Sequence, residues 1–196
     1  MKKVLNVGSS TKSSHPLPPE YSDFQNVSLD IDSRCLPDII CDARNLKTLA
    51  PKQFDAVYCS HNLEHYYRHD VPKVLAGFLH VLKDDGFAQI IVPDIDAVMR
   101  MTIAKGLDID DVLYQSAAGP IRVLDVLYGH CEAIEQSGKD YYAHKTGFTR
   151  KSLFEALQRA RFYKIYTMVG SLQISSISFK GEPNLVDLKR FNLPSS

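Results

Sequence analysis

The chain has 196 residues, a length that suits one domain and requires no second hydrophobic core. Hydrophobic residues make up 44% of it and charged residues 23%, which excludes disordered, collagen-like and coiled-coil proteins. Its 23 basic and 23 acidic residues balance to a formal net charge of zero, and the chain has no run of five or more like charges, which argues against a non-specific nucleic-acid binder.

The four cysteines include no Cys-x-x-Cys pair, and a chain of this length does not need disulfide bonds to hold its core. We therefore expect a reduced, cytoplasmic protein. The apolar stretch after Lys2 and Lys3 is far shorter than a signal peptide or a membrane span requires. We predict neither a targeting segment nor membrane insertion.

The first elements are short strands. Apolar residues 4–7 run into Gly8, which is typical of a strand followed by a turn. Residues 9–26 are rich in serine and proline and lack a helical repeat of apolar residues, so we predict an irregular loop. Residues 27–32 read as the second strand and 38–42 as an extended segment, and both end in an aspartate.

The next segments alternate between strand and helix. Residues 54–60 form an apolar run of strand length, as in a buried central strand. Asp70 and Pro72 mark a helix start, and apolar residues then recur at helical spacing as far as Leu82. Residues 87–92 are a further strand. This alternation predicts an α/β fold with a mostly parallel sheet and a ligand site at the carboxyl ends of its strands.

Residues 95–148 interrupt the alternation. We predict helical pieces around 95–105 and 109–116, followed by an apolar stretch and an aromatic, histidine-rich segment at 141–145. We interpret 95–148, called the insert below, as a substrate-side elaboration of a single domain that spans residues 1–181.

The C-terminal part predicts one helix and two strands. Thr149 is placed to cap a helix, and residues 163–169 and 172–179 read as strands joined by a tight turn. An antiparallel hairpin follows from this pattern. Residues 182–196 show no periodicity, so we expect a tail without regular structure.

The spacing of glycines excludes several cofactor sites. No glycine lies between Gly8 and Gly77, so the first strand-to-helix turn contains neither a Gly-x-Gly-x-x-Gly fingerprint nor a phosphate-binding loop. A nicotinamide-dependent oxidoreductase on a similar sheet conflicts with this observation.

Small and acidic residues follow the predicted strands. Gly8 and Ser9 allow a ligand to approach the backbone closely. Asp30 is placed to accept hydrogen bonds from a ribose diol, with a strand-end cap as the structural alternative. Asp42, followed by Ala43, can accept a hydrogen bond from an exocyclic amine such as that of adenine, and a turn aspartate explains it equally well.

Seven segments, taken in chain order, carry a family resemblance. They read Val-Leu-Asn-Val-Gly (4–8), Leu-Asp-Ile-Asp (29–32), Asp-Ala-Arg-Asn-Leu (42–46), Phe-Asp-Ala-Val (54–57), Ser-His-Asn-Leu-Glu-His (60–65), Val-Leu-Lys-Asp-Asp-Gly-Phe (81–87) and Val-Pro-Asp (92–94). They resemble a class I S-adenosylmethionine-dependent methyltransferase. Residues 118–121, 127–130 and 144–149 also resemble a subgroup of bacterial methyltransferase-like proteins whose substrates are mostly unassigned.

The resemblance implies a Rossmann-like, mostly parallel seven-stranded sheet flanked by helices, with a C-terminal antiparallel hairpin. It implies S-adenosylmethionine as cofactor and S-adenosylhomocysteine as product, and it places nine cofactor-binding residues at the strand ends. These are Gly8 and Ser9 at the amino-acid end with Asn6 just before them, Asp30 at the ribose hydroxyls, Ile31 beside the adenine, Asp42 and Ala43 at the adenine edge, and Ser60 and His61 near the sulfonium.

Two departures from the family pattern concern the first turn. The usual Gly-x-Gly-x-Gly is reduced to Gly8-Ser9-Ser10, and Asn6 stands where an acidic residue is common. Because the cofactor carries no phosphate, the chemistry does not require a phosphate-cradling glycine triplet.

Methyl transfer from a sulfonium is an in-line displacement, so the protein mainly aligns the acceptor and, where needed, removes its proton. The candidate catalytic residues are His65, Tyr128, His130 and His144. Hydrogen-bonded packing is the structural alternative for each histidine. Since the sequence begins at the first strand, we expect no N-terminal helical cap and assign substrate binding to the insert.

The histidines do not predict a metal site. His61, His65 and His69 are four residues apart, but a new helix begins directly after His69, so the three do not share a helical face. His130 and His144 also lack regular ligand spacing. We expect no metal.

The leading hypothesis is a cytoplasmic methyltransferase of a small molecule, a sugar or another envelope or secondary metabolite. It implies a small-molecule acceptor, no nucleic acid, no membrane, and a homodimer as the candidate assembly. The alternative is a catalytically inactive methyltransferase-like protein that serves as a binding or regulatory partner, and the reduced glycine turn is its main support.

Overall fold

The computed structural model describes residues 1–9, 16–116 and 119–194. Its strands are β1 (Lys2–Val7), β2 (Phe24–Asp30), β3 (Ile39–Ile40), β4 (Phe54–Ser60), β5 (Leu82–Pro93), β6 (Val112–Ser116), β7 (Gly119–Arg122), β8 (Lys164–Gly170) and β9 (Gln173–Phe179). Its α-helices are α1 (Val71–Val81), α2 (Ile95–Lys105), α3 (Val123–Tyr128), α4 (Cys131–Ser137), α5 (Arg150–Arg159) and α6 (Leu185–Arg190). Short 3-10 helices cover Pro19–Tyr21, Ser33–Cys35, Ala43–Thr48, Leu63–His65 and Asp140–Tyr142.

Seven strands form one sheet in the order β3-β2-β1-β4-β5-β9-β8. The first five strands pair in parallel, whereas β9 is antiparallel to both β5 and β8. This confirms the Rossmann-like, mostly parallel seven-stranded sheet and its C-terminal antiparallel hairpin.

Apolar side chains cover both faces of the sheet, because successive residues of a strand point to opposite sides. On β1, Leu5 belongs to a buried cluster that includes Phe78 of α1, while Val4 belongs to a second cluster with Tyr21 and Phe24. Neighbouring residues of one strand therefore contribute side chains to two hydrophobic cores, one on each face of the sheet.

The connection from β1 to β2 contains no α-helix among its described residues. A 3-10 helix, Pro19–Tyr21, lies just before β2. The ring of Tyr21 packs against the rings of Phe24, Tyr58 and Phe87. The irregular loop predicted over residues 9–26 is thus confirmed in part: residues 16–23 contain no α-helix or strand, but residues 24–26 belong to β2. Residues 10–15, which include Ser10 of the first turn, lie outside the described ranges.

The insert forms a small layer of its own. β6 and β7 pair as an antiparallel sheet, and Val98 of α2 packs in one cluster with Leu113, Val123 and Val126. The predicted helix at 95–105 is confirmed. The helix predicted around 109–116 is wrong, since Leu113 alternates with exposed neighbours in the two-residue period of a strand.

The tail also differs from the expectation of no regular structure, because residues 185–190 form α6. Leu188 is 7% exposed and joins the cluster of Val4 and Phe24, while Asp187 accepts a hydrogen bond of 3.1 Å from Lys2. Tertiary burial stabilises this helix although it is too short to stand alone. No helix within the described ranges has the length and apolar character needed to span a bilayer.

Candidate functional site

The carboxyl ends of β1, β2 and β4 lie side by side at one edge of the sheet. Val7 of β1 is aligned with Leu29 of β2 and with Cys59 of β4. The predicted site residues that directly follow these positions are Gly8, Asp30 and Ser60. The fold therefore brings together residues that are far apart in the sequence, as expected for a parallel sheet.

The turn after β1 is held against β2. Gly8 has a φ of +70°, and its amide donates a 2.9 Å hydrogen bond to the carbonyl of Leu29. The amide of Ser9 donates to the same carbonyl at 3.3 Å. Asn6 is buried in β1 and only 6% exposed. Both amides therefore hold the turn in place.

The side chain of Asn62 lies directly over Gly8. A Cβ added to Gly8 would come within 2.3 Å of Asn62 Nδ2 and 2.6 Å of its Cγ. The Oδ1 of Asn62 is buried and accepts no hydrogen bond from the described residues. An unpaired buried acceptor is costly, and a ligand that donates a hydrogen bond here would satisfy it.

The residues after β2 divide into an exposed and a buried part. Asp30 accepts a 2.9 Å hydrogen bond from the amide of Asp32, and the apolar side chain of Ile31 is 44% exposed. Asp32 is buried, and its carboxylate accepts hydrogen bonds from Arg34 Nη2 at 2.6 Å and from the Tyr141 hydroxyl at 2.8 Å. The hydrogen bonds from Arg34 hold the pKa of Asp32 well below its usual range. Asp32 is thus an anchor for the insert.

Asp42 caps the 3-10 helix Ala43–Thr48. Its carboxylate accepts from the Arg44 amide at 2.9 Å and from Arg44 Nη2 at 2.6 Å. Burial opposes ionisation, but these contacts with Arg44 lower the pKa of Asp42. Ala43 is 1% exposed. Of the two roles that the sequence allowed for Asp42, a turn aspartate and an acceptor for the adenine amine, these contacts show the first.

The loop after β4 contains a buried carboxylate. Glu64 is 1% exposed, and within the described part of the chain neither of its carboxylate oxygens has a hydrogen-bond partner. His61, with a φ of +49°, places Nδ1 3.5 Å from Glu64 Oε1 and Nε2 3.4 Å from Gln173 Oε1. Burial by itself would raise the pKa of Glu64, but His61, His65 and His144 hold it below its usual value. Glu64 is therefore an anion at neutral pH.

Two predicted catalytic residues, His65 and His144, meet beside this carboxylate. Their ring centroids are 4.9 Å apart. Nδ1 of His65 lies 3.1 Å from the Ala143 carbonyl, and Nδ1 of His144 lies 2.8 Å from the Val126 carbonyl. Each Nδ1 must carry the proton to donate, which leaves the lone pair on Nε2. Burial lowers the pKa of His144, so this imidazole is neutral at neutral pH.

Among the described residues, the other two predicted catalytic residues are not part of the cluster that Glu64, His65 and His144 form. The side chain of Tyr128 is exposed, and its backbone carbonyl accepts a hydrogen bond of 3.0 Å from the His144 amide. His130 is exposed, and its Nδ1 caps α4 by accepting from the Ala133 amide at 3.3 Å. For His130 the structure shows the hydrogen-bonded packing that the sequence left as an alternative.

The insert is fastened across the strand ends. Tyr141 reaches Asp32 beyond β2, and the amides of Lys145 and Thr146 donate to the Glu64 carbonyl beyond β4 at 2.8 and 3.1 Å. Since β1 lies between β2 and β4, the insert bridges the turn that contains Gly8. The sequence did not single out Asn62, Glu64 or Tyr141. For Asn62 and Glu64 the available signal was their place inside the Ser60–His65 motif.

Two grooves on the described surface lie elsewhere. One of about 1020 Å³ runs beside β8 and includes Met168 and Phe154, and one of about 320 Å³ lies between α1 and α5. Neither is lined by a predicted site residue.

Residues 11–90 match the family model described as a methyltransferase domain. No curated protein sequence matches the chain significantly. The non-catalytic alternative gains no support from the domain match.

Three solved structures are similar in fold. A SAM-dependent methyltransferase from Archaeoglobus fulgidus has a TM-score of 0.58 and 14% identity, covering 91% of this chain and 86% of that one. The 1,6-didemethyltoxoflavin-N1-methyltransferase from Burkholderia thailandensis, with bound 1,6-didemethyltoxoflavin and S-adenosylhomocysteine, has a TM-score of 0.54 and 16% identity over 92% and 71% of the two chains. A SAM-dependent methyltransferase from Methanosarcina mazei has a TM-score of 0.56 and 12% identity over 91% and 92%.

Proposed function

We propose that the chain is a class I S-adenosylmethionine-dependent methyltransferase that methylates a small molecule, a sugar or another envelope or secondary metabolite. The match of residues 11–90 to a methyltransferase domain and the fold shared with SAM-dependent methyltransferases support the proposal. The observation that carries this proposal is the fastening of the insert across the strand ends through Tyr141 and Lys145. An acceptor beneath such a cover has to be small. The Burkholderia thailandensis neighbour, which binds 1,6-didemethyltoxoflavin, is a precedent for a small acceptor on this fold.

The residues at the strand ends fit the cofactor, which supplies an electrophilic methyl group when bound. The unpaired Oδ1 of Asn62, whose side chain packs directly against Gly8, is a suitable acceptor for the α-ammonium group. Asp30 is assigned to the ribose hydroxyls. The exposed side chain of Ile31 offers an apolar surface for the adenine.

On the acceptor side, we assign alignment of the acceptor to His65 and His144. Their Nδ1 atoms are held by backbone carbonyls, so both rings are pre-oriented with Nε2 available. A hydroxyl or amine of the acceptor can donate to Nε2 of His144, which is neutral at neutral pH because burial lowers its pKa. The ionised Glu64 beside both rings stabilises positive charge that develops there.

Calorimetric titration of S-adenosylmethionine and S-adenosylhomocysteine tests the cofactor site. We expect micromolar binding that Asp30→Ala weakens by about 1–3 kcal/mol, as for loss of a charge-assisted hydrogen bond. The matched control is Asp85→Ala, an exposed aspartate at the opposite end of β5, which should bind like the wild type. Absence of binding by the wild type, or equal binding by Asp30→Ala, would overturn the assignment.

The acceptor class is tested by incubating the protein with labelled S-adenosylmethionine and a bacterial extract split by ultrafiltration. We expect the transferred methyl group in the low-mass fraction. Label that is incorporated only into the macromolecular fraction would contradict a small-molecule acceptor while leaving methyl transfer itself intact.

A further inference from the structure

The geometry points to a metal site beside the proposed acceptor position. We propose that a carboxylate oxygen of Glu64 and the Nε2 atoms of His65 and His144 bind one divalent transition-metal ion, of the kind that imidazole and carboxylate ligands favour, such as Zn²⁺ or Mn²⁺. Histidine spacing in the sequence does not indicate this set.

The first observation is the mutual distance of the donor atoms. One donor atom from each of Glu64, His65 and His144 lies within 4.8 Å of the other two. Ligands around a tetrahedral zinc ion with bonds of about 2.1 Å are roughly 3.4 Å apart. Metal binding therefore requires the three donor atoms to move closer together than the 4.8 Å limit of their present spacing.

The second observation is the state of the Glu64 carboxylate. It is 1% exposed, and neither of its oxygens has a hydrogen-bond partner among the described residues. Buried carboxylates are normally paired with a cation or coordinated to a metal. His61 only partly fills this role, because its Nδ1 is 3.5 Å from Glu64 and its side chain is 51% exposed. The ammonium of Lys145 forms an ion pair with Asp140, at 3.4 Å, and not with Glu64.

The third observation is how the two imidazoles are held. His65 and His144 each direct Nδ1 to a backbone carbonyl, of Ala143 and Val126 respectively. Metal-binding histidines characteristically donate the second ring N–H in this way, which selects the tautomer with Nε2 free for the metal. Both rings share this arrangement although they come from different segments.

A metal ion here would connect the insert to the sheet. Glu64 and His65 belong to the 3-10 helix after β4, whereas His144 belongs to the insert. With the metal bound, the single lone pair on Nε2 of His144 is used for coordination, and an oxygen of the acceptor would bind the metal instead of donating to this nitrogen. Only this statement about the acceptor rests on the proposed function. Metal binding itself requires neither cofactor nor acceptor.

The test uses the full-length protein after chelator treatment and dialysis, titrated with Zn²⁺, Mn²⁺ or Co²⁺ without S-adenosylmethionine. We expect one ion per chain and, with Co²⁺, a visible absorption band of imidazole and carboxylate coordination. Glu64→Gln and His144→Ala should each weaken binding by at least about tenfold. His69→Ala, which removes a histidine that is 76% exposed, is the matched control and should bind like the wild type.

Two results would overturn the proposal: no stoichiometric binding by the wild type, or equal binding by the wild type and by those variants that keep its circular dichroism spectrum. Glu64→Gln preserves the side-chain shape, and His144→Ala supplies a second variant if Glu64→Gln fails to fold. Cofactor binding is measured in a separate titration. A negative result for metal binding therefore does not affect the Asp30→Ala comparison, and a negative result for cofactor binding does not affect the metal titration.

Discussion

The hydroxyl of Tyr141 donates a 2.8 Å hydrogen bond to the carboxylate of Asp32, a residue 109 positions earlier in the chain. Asp32 is also paired with Arg34 at 2.6 Å, so the acceptor is a charged and fixed group. Hydrogen bonds to charged groups are stronger than those between neutral groups. This contact fastens the insert to the end of β2, beside the residues assigned to the ribose and the adenine.

Tyr141→Phe tests this contact, because it removes the hydroxyl and keeps the ring. We expect a loss of about 1–2 kcal/mol in the free energy of unfolding and faster proteolysis within the insert. Urea denaturation and limited trypsin digestion provide the measurements. Tyr128→Phe, at an exposed tyrosine of the same insert, should leave both quantities at the wild-type level. Equal cleavage rates in all three proteins would show that the contact does not hold the insert.

Gly8→Ala should destabilise the protein more than its backbone strain alone predicts. The new methyl group would lie 2.3 Å from Asn62 Nδ2. Gly106→Ala is the matched control, since Gly106 has a similar φ of +63° but no atom within 4 Å of the place that an added methyl group would take. We expect Gly8→Ala to lose about 1–3 kcal/mol more than the control, the usual range for overpacking. Guanidinium denaturation of both variants decides this, and equal losses would contradict it.

Asp42 and Arg44 should contribute to stability above acidic pH. Burial opposes ionisation of Asp42, but Arg44 lowers its pKa in the folded state below the unfolded value of about 3.9. The stabilisation is therefore present above that unfolded value and is lost as the pH falls through the folded pKa. In Asp42→Asn, the free energy of unfolding should fall less steeply between neutral and acidic pH. Arg44→Gln should also reduce the pH dependence of the free energy of unfolding over this range. If both variants keep the wild-type pH dependence, the pairing of Asp42 with Arg44 is refuted.

His144→Phe tests the acceptor side of the site. We expect methyl transfer to fall by about 100-fold, the lower range for loss of a proton-accepting group, while the affinity for S-adenosylmethionine stays within about twofold of wild type. A radiometric transfer assay and calorimetry measure the two quantities. His69→Ala should retain wild-type turnover, because this exposed imidazole lies outside the cluster. Unchanged turnover of His144→Phe would remove His144 from the mechanism.

The sequence was sufficient where the local pattern and the buried environment agree. The apolar runs at 54–60 and 87–92 predicted central strands, and the helical spacing after Asp70 predicted α1. It failed at β6, where Leu113 joins a non-local cluster, and at α6, where burial of Leu188 decides the helix. In both places a few long-range contacts outweigh a weak local preference.

For the site, the sequence by itself determined that Gly8, Asp30 and Ser60 lie together, because strand ends of a parallel sheet share one edge. Only the tertiary structure decided that Asn62 packs on Gly8 and that His144 meets Glu64. The insert has no repeating pattern that relates it to β4, so its position depends on packing and hydrogen bonds between distant segments. Periodicity specifies which way a side chain points within its own element, whereas contacts between elements depend on how the whole chain packs.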